Sequence, residues 1–539
     1  MTAGREPIDV VLVNPGSRQA VYQSLANEFS AIEPPSLAGL FATYVRNKGL
    51  TVAIVDAPAH NLSPDQVAEH ILSRYRPTLV VMVVYGFQPS ASTQNMPAAG
   101  ETCRALKARD ADLRIMMTGT HPAALPERTM REEAIDFVCD REGPETILLT
   151  AKALKTGAKR FPDVPSLWYR ASDVILSNPP APLMEDLDAE MPGVAWDLLP
   201  MDKYRAHNWH CFDDIHARQP YASMHTSLGC PYKCSFCCIN APFGKSSYRM
   251  WSPDTVIREI DLLVTKYGVK NIKFVDEMFV LNRAHVLGIC DRIIERGYDL
   301  NIWAYARVDS IKDEFLGKLR RAGFRWLALG IESGSRHVRD GVEKGRFGST
   351  DILKVVRDIQ AAGIHVIGNY IFGLPDDTRE SMQETLDLAI EANCEFANFY
   401  CAMAYPGSKL YAAAARNGWE LPASWIGYSQ HSYETMPLRT EALGAAEVLR
   451  FRDEAFRTYF TNPRYLDMVR RKFGPDVVAH LAAMTEVRLK RKLLVLDHQR
   501  PDDMRHFVGE RHCRDLVRIV GKQCSRPPSP HPRCARGQK

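Results

Sequence analysis

The chain has 539 residues, 45% apolar and 24% charged, with a formal net charge of +4. That size suggests three or four domains with an ample core, and the composition excludes a disordered or fibrous chain. Residues 501–539 hold nine Lys/Arg against four Asp/Glu, so the rest of the chain nets about −1 and has no basic bias toward nucleic acid. No apolar run approaches bilayer length and MTAGREPIDV lacks a signal-peptide core, so a cytoplasmic protein without a membrane span is expected. Its thirteen cysteines then read as reduced thiols and cluster ligands, not as a disulfide framework.

In chain order, residues 8–14 read as a strand and 36–49 as a helix closing at Gly49. Thr51 to Val55 is a second strand closing on Asp56, and Leu62 to Tyr75 is a helix with a Ser63-Pro64 start. Thr78 to Val84 is a third strand running into Tyr85-Gly86, followed by a helix over about 97–109. Then come Arg114 to Thr118, Gly119-Thr120-His121-Pro122, and a short strand Phe137-Val138-Cys139 leading to Arg141-Glu142-Gly143. Continuous apolar strands alternating with helices predict an α/β, doubly wound, flavodoxin-like parallel sheet over residues 1–150. Its ligand would sit beyond the C-terminal strand ends, where Asp56, Tyr85, Gly86, Gly119, Thr120, His121, Glu142 and Gly143 gather.

Residues 151–220 read as a connector with a hairpin at 166–169 and 174–177, followed by Trp196 to Pro200 and Tyr204 packing between larger domains. From 221 to 402 strand–helix units repeat, with strands at 222–226, 271–275, 301–306, 326–330, 365–369 and 396–402. Six such units predict a partial (βα)6 TIM barrel with its chemistry at the C-terminal strand ends. Residues 403–500 read as mostly helical, with helices at about 441–461, 464–472 and 476–493. Within them, WIGYSQHSY at 425–433 either lines a pocket or packs between domains, and 487–492 reads as a solvated helix face. Residues 501–539 read as a basic, disordered tail.

One group points past the fold to chemistry. Cys230-Pro-Tyr-Lys-Cys234-Ser-Phe-Cys237 directly follows the first barrel strand. Three thiolates so spaced can hold three irons of a four-iron cluster and leave one corner open. A structural zinc site is the alternative, but it would want a second Cys or His pair nearby.

This cysteine signature resembles that of the radical S-adenosylmethionine enzymes. The N-terminal phrases Glu33-Pro-Pro-Ser-Leu-Ala-Gly39, GTHP at 119–122 and DFVCDREGPET at 136–146 resemble the cobalamin-binding domain that precedes the radical domain in one subgroup. The resemblance implies three cofactors: a [4Fe-4S] cluster on Cys230, Cys234 and Cys237, S-adenosylmethionine, and cobalamin. For S-adenosylmethionine it implies Phe236 beside the adenine and Asp276-Glu277 on the methionine ammonium. It also implies Glu332 and Ser333 near the ribose and carboxylate, Gly373-Leu374-Pro375 against the adenine, and Arg307 on the carboxylate or the cobalamin. Cys238, next to Cys237, is read as a bystander. The Asp-x-His-x-x-Gly cobalamin motif is absent, since His60 stands four residues after Asp56 with Asn61 following. The lower face of the cobalt is therefore expected to carry water, a non-histidine group or nothing.

The activity implied is methylation of an unactivated carbon or phosphorus of a small molecule, through methylcobalamin and a 5′-deoxyadenosyl radical, with a flavodoxin or ferredoxin as electron donor. Oxidative cyclisation or rearrangement, and a non-catalytic cobalamin or cluster sensor, are the alternatives.

Overall fold

Apolar runs bounded by Gly, Pro and Asp build the first sheet of the computed structural model, which describes residues 4–86, 88, 90–344 and 351–498. The strands are β1 (Glu6–Asn14), β2 (Val52–Asp56), β3 (Tyr75–Val84), β4 (Ile115–Gly119) and β5 (Phe137–Cys139). They run parallel in the order β2-β1-β3-β4-β5, as a flavodoxin-like sheet does. Helices cover both faces, so Leu79 to Val84 are buried throughout. At the end of β4 the backbone turns at Gly119 with φ +146°, where an added Cβ would lie 2.0 Å from the Val84 carbonyl oxygen. Only glycine fits there.

Two features of this half differ from the sequence reading. The hairpin β6 (Leu167–Ala171) and β7 (Val174–Ser177) is no free connector, because β6 pairs antiparallel with β5 and extends the sheet. The helix Pro144–Lys155 also runs across residue 150. The helix expected over about 97–109 begins at Ala91 and carries Pro97 inside it, at the cost of one backbone hydrogen bond.

The second sheet comprises β8 (Tyr221–Met224), β11 (Asn271–Phe274), β12 (Asn301–Arg307), β13 (Phe324–Glu332), β14 (His365–Phe372) and β15 (Phe396–Cys401). All six are parallel and lie in chain order, so the sheet is a curled half-barrel with β8 and β15 as its edges. A short antiparallel ribbon of β9 (Ser227–Leu228) and β10 (Arg249–Met250) brackets the cysteine loop.

One apolar core runs from a face of the first sheet through Trp196 and Tyr204 into the barrel wall. Polar clasps tie the two halves. Glu33 accepts from Lys273 Nζ at 2.9 and 3.1 Å, with both side chains buried. Ser223 Oγ donates to the Pro34 carbonyl at 3.3 Å, and Ser36 Oγ lies 3.2 Å from His225 Nδ1. The Glu33-Pro-Pro-Ser36 phrase therefore grips the start of the barrel.

The C-terminal helices are Ala445–Phe460, Pro463–Phe473 and Pro475–Glu486. The last expected helix stops short, and 487–491 is not a solvated helical face. Arg491 is buried and bonds Asp453, Thr435 Oγ1 and the Gln430 carbonyl, which pulls the segment out of helical register. Residues 1–494 form one unit, and 495–539 a second that is described only to 498. The expected tail at 501–539 lies outside the described residues. Among the described residues no helix is long and apolar enough to cross a membrane.

Candidate active site

The cysteine loop leaves the ribbon at Leu228 and is pinned from several sides. Ser235 N donates to the Val342 carbonyl at 3.0 Å, and Ser235 O accepts from Leu410 N at 2.8 Å. The Arg307 guanidinium lies 3.9 Å from the Tyr232 ring centre, at the distance of a cation–π contact. Arg307 also pairs with Asp309 at 2.9 and 3.0 Å and donates to the Lys344 carbonyl at 2.5 Å. It braces the cysteine loop through these contacts. Cys230, Cys234 and Cys237 are part-exposed, whereas Cys238 is buried near Gly407.

The two acids after β11 part ways. Asp276 is 1% exposed; its Oδ1 accepts from Thr226 N at 2.7 Å and its Oδ2 from Thr226 Oγ1 and Ser227 Oγ, both at 2.6 Å. It is spent on the strand that leads into the cysteine loop and is not offered to a ligand. Burial raises its pKa to about 6, against the pull of those hydrogen bonds. Glu277 is only part-buried and lines a cavity with Gly229 and Ile239 of the cysteine loop. Burial raises its pKa to about 7.

Glu332 closes β13 at φ +67°, beside a register shift in the strand pairing, and forms a buried ion pair with Lys344. A left-handed non-glycine residue at a strand end is a strained arrangement of the kind found at functional sites. Ser333 is turned away from the cavity. Its Oγ lies 3.1 Å from Thr385 Oγ1 and accepts from Ser335 N at 3.1 Å, so it organises the next turn. Gly373 and Leu374 donate their backbone N–H groups to Asp377 at 2.9 and 3.0 Å. Gly373 has φ +79°, and an added Cβ would lie 2.4 Å from Val448. Leu374 packs in a small apolar cluster that includes Phe236, so the aromatic of the cysteine loop and the turn after β14 meet. Pro375 follows in that turn.

Two cavities meet at Gln88. The first lies between the strand ends of the first sheet and the cysteine loop. Tyr85, Gly86, Thr120 and Glu142 form one wall, and Ser227, Gly229 and Glu277 another. An adjoining cleft takes in Glu142, Gly143 and Arg141. Three residues expected here are elsewhere. Asp56 is buried, accepting from Asn14 Nδ2 at 2.9 Å and the Tyr204 hydroxyl at 2.8 Å. Gly119 serves the turn described above. His121 is buried with its Nδ1 3.3 Å from Thr93 Oγ1, its ring lies 4.5 Å from Trp425, and burial lowers its pKa to about 3. His225, which the sequence reading passed over, lines this cavity.

The second cavity occupies the inside of the half-barrel. Inward-facing Lys273, Trp303, Tyr305, Asn369 and Tyr400 line it, with His431 and Arg452 from the C-terminal region. The aromatic segment 425–433 therefore does both things weighed from sequence, since Gln430 and His431 line this cavity while Trp425 packs on His121.

A flavodoxin-like sheet followed by a half-barrel, with Cys230, Cys234 and Cys237 on the loop after the first barrel strand, is the arrangement of a tandem cobalamin-binding and radical S-adenosylmethionine architecture. The comparisons agree. A model of the B12 binding domain matches residues 25–149 and one of the Radical SAM superfamily matches residues 224–389. An uncharacterized methyltransferase of Pyrococcus horikoshii is 29% identical over 460 residues, 85% of this chain and 93% of the relative. The anaerobic magnesium-protoporphyrin IX monomethyl ester cyclase of Rubrivivax gelatinosus is 27% identical, covering 84% of this chain and 79% of its own. In fold, the chain is similar to the radical S-adenosylmethionine methyltransferase TsrM of Kitasatospora setae, solved with cobalamin and a [4Fe-4S] cluster (TM-score 0.61, 18% identity, 79% of this chain and 81% of that one). It is also similar to the cobalamin-dependent radical enzyme OxsB, solved with aqua-cobalamin (TM-score 0.64, 15% identity, 96% and 75%). The chain belongs to the radical S-adenosylmethionine enzymes that carry a cobalamin-binding domain, and its cofactors are a [4Fe-4S] cluster, S-adenosylmethionine and cobalamin.

Proposed function

We propose that this enzyme methylates an unactivated carbon or phosphorus of a small molecule. One observation carries the reading: the cavity at the first sheet's strand ends opens onto the cysteine loop on one side and adjoins the barrel cavity at Gln88. A methyl carrier held there is within reach of both the cluster side and the substrate side.

The residues present fit the cofactors. Cys230, Cys234 and Cys237 would hold three irons. Glu277 would take the methionine ammonium, an acid at a strand end suiting a cation. Phe236 with Gly373-Leu374-Pro375 would border the adenine, and Glu332 would lie near the ribose and carboxylate. Tyr85, Gly86, Thr120, Glu142 and Gly143 would hold the cobalamin. When bound, these groups supply the reducing electron, the radical and the methyl. The chain's own part is to bind, orient and exclude water, and Asp276 and Arg307 keep the cysteine loop in place for it. A cytoplasmic flavodoxin or ferredoxin would deliver the electrons.

The test is incubation of reconstituted protein with S-adenosylmethionine, reductant and cell extract. S-adenosylhomocysteine together with 5′-deoxyadenosine is the expected result. 5′-Deoxyadenosine alone would favour oxidative cyclisation, the kind of activity that the Rubrivivax relative's name carries.

A further inference from the structure

The barrel cavity has a charge imbalance at one end. Arg452 reaches it from the helix Ala445–Phe460 beside β15, and it is 6% exposed. Its Nε donates to the Phe399 carbonyl and its Nη1 to Asp453, both at 2.8 Å. Its Nη2 donates to no described residue. Asp453 is shared, because Arg491, 4% exposed, also binds it at 3.0 and 3.1 Å. Burial alone would raise the Asp453 carboxyl, yet the two guanidiniums outweigh it and hold its pKa down. Two buried guanidiniums therefore face one carboxylate. His431 adds no charge, since burial and the same arginines keep it neutral. Glu33 gives no relief either, because it is matched by Lys273. Arg452 lines the cavity, so an anion bound there would complete this imbalance with a charge-assisted hydrogen bond.

The rest of the cavity is aromatic. Trp209, Trp303, Tyr305, Phe399, Tyr400 and Tyr405 line it, two of them, Tyr305 and Tyr400, bringing a hydroxyl. Such walls suit a flat π-system with polar edges. A single surplus charge matches a carboxylate better than a phosphate dianion, which would call for a second free cation.

We infer that the substrate is an aromatic carboxylic acid whose carboxylate pairs with Arg452. This rests on the reading of the barrel cavity as the substrate pocket.

The test is anaerobic calorimetric titration of the reconstituted holoenzyme with four probes: indole-3-propionate, its neutral amide, cyclohexanepropionate and 1-naphthyl phosphate. The indole acid should bind about tenfold to a hundredfold more tightly than the amide, the range of one charge-assisted hydrogen bond. It should also bind more tightly than the alicyclic acid and the phosphate. Arg452→Gln should erase the preference for acid over amide and Arg452→Lys should keep part of it, with iron and cobalamin content as checks on folding. Equal binding of acid and amide, binding of neither, a tighter phosphate or alicyclic acid, or a preference that survives in Arg452→Gln overturns the inference. The wild-type comparison decides even if the variants misfold. Production of S-adenosylhomocysteine and 5′-deoxyadenosine, followed separately in cell extract, bears on methyl transfer and not on this point.

Discussion

Asp276 holds Thr226 twice, through its backbone N–H at 2.7 Å and through its hydroxyl at 2.6 Å. Thr226 stands four residues before Cys230, so this carboxylate fixes the approach to the cluster loop from the neighbouring strand end. Asp276→Asn should lose one of these acceptors inside a buried network, costing about 1–3 kcal/mol. Lower iron retention and a lower melting temperature are expected, with S-adenosylmethionine affinity unchanged in the fraction that stays loaded. Full iron content with weakened S-adenosylmethionine binding would return Asp276 to the ligand site.

Glu277 should behave in the opposite way. Glu277→Gln removes a charge-assisted hydrogen bond to the methionine ammonium, worth roughly 1.5–3 kcal/mol. The dissociation constant of S-adenosylmethionine, measured by anaerobic titration, should rise about tenfold or more while iron content holds. An unchanged constant removes Glu277 from the site.

The contrast between these neighbours marks what the sequence could and could not tell. All six barrel strands were legible, because short segments rich in apolar and aromatic residues, such as Trp326 to Leu329, alternate with helices. The strand ends were legible as well. Side-chain direction was not legible, because Asp276 and Glu277 lie in the turn beyond β11 and Glu332 ends β13 in a left-handed conformation, where the regular alternation of a strand no longer applies. Pairing between distant segments leaves no local trace. Glu33 and Lys273 are 240 residues apart, and nothing near either announces the other. Arg491 shows the same limit, since a basic run reads as solvated until the buried Asp453 beside it is known.

The cluster prediction rests on the loop alone. Anaerobic reconstitution should give about four irons per chain. Cys230→Ala, Cys234→Ala and Cys237→Ala should each abolish reductive cleavage of S-adenosylmethionine, and removal of the iron by a chelator should do the same to the wild type. Cys238→Ala should cleave normally. Loss of cleavage in that variant would overturn the ligand assignment.

Glu259 gives a pH-dependent term in stability. Its Oε1 accepts from Val194 N at 2.8 Å and Trp196 Nε1 at 2.9 Å, docking the connector on the barrel, and burial raises its pKa to about 7. A raised acid binds its proton more tightly in the folded state. Its contribution is therefore full at low pH and falls as pH climbs from near the unfolded value of about 4.3 to about 7. The slope is at most about 1.4 kcal/mol per pH unit. Glu259→Gln keeps the acceptor and cannot ionise, so its denaturant midpoint should fall less steeply than the wild type's between these limits. Parallel profiles would show that Glu259 does not titrate there.

The cobalt should carry no histidine. Asp56 is committed to Asn14 and Tyr204, His60 is exposed at the end of its short helix, and His121 is closed off by Thr93 and Trp425. The electron paramagnetic resonance spectrum of the cob(II)alamin form should therefore lack nitrogen superhyperfine splitting, and His60→Ala and His121→Ala should leave it unchanged. His225 is the histidine that lines the cavity, with its Nδ1 at Ser36. His225→Ala belongs in the same series and should also leave the pattern unchanged. A three-line splitting in the wild type would falsify the prediction, and its loss in one variant would name the ligand.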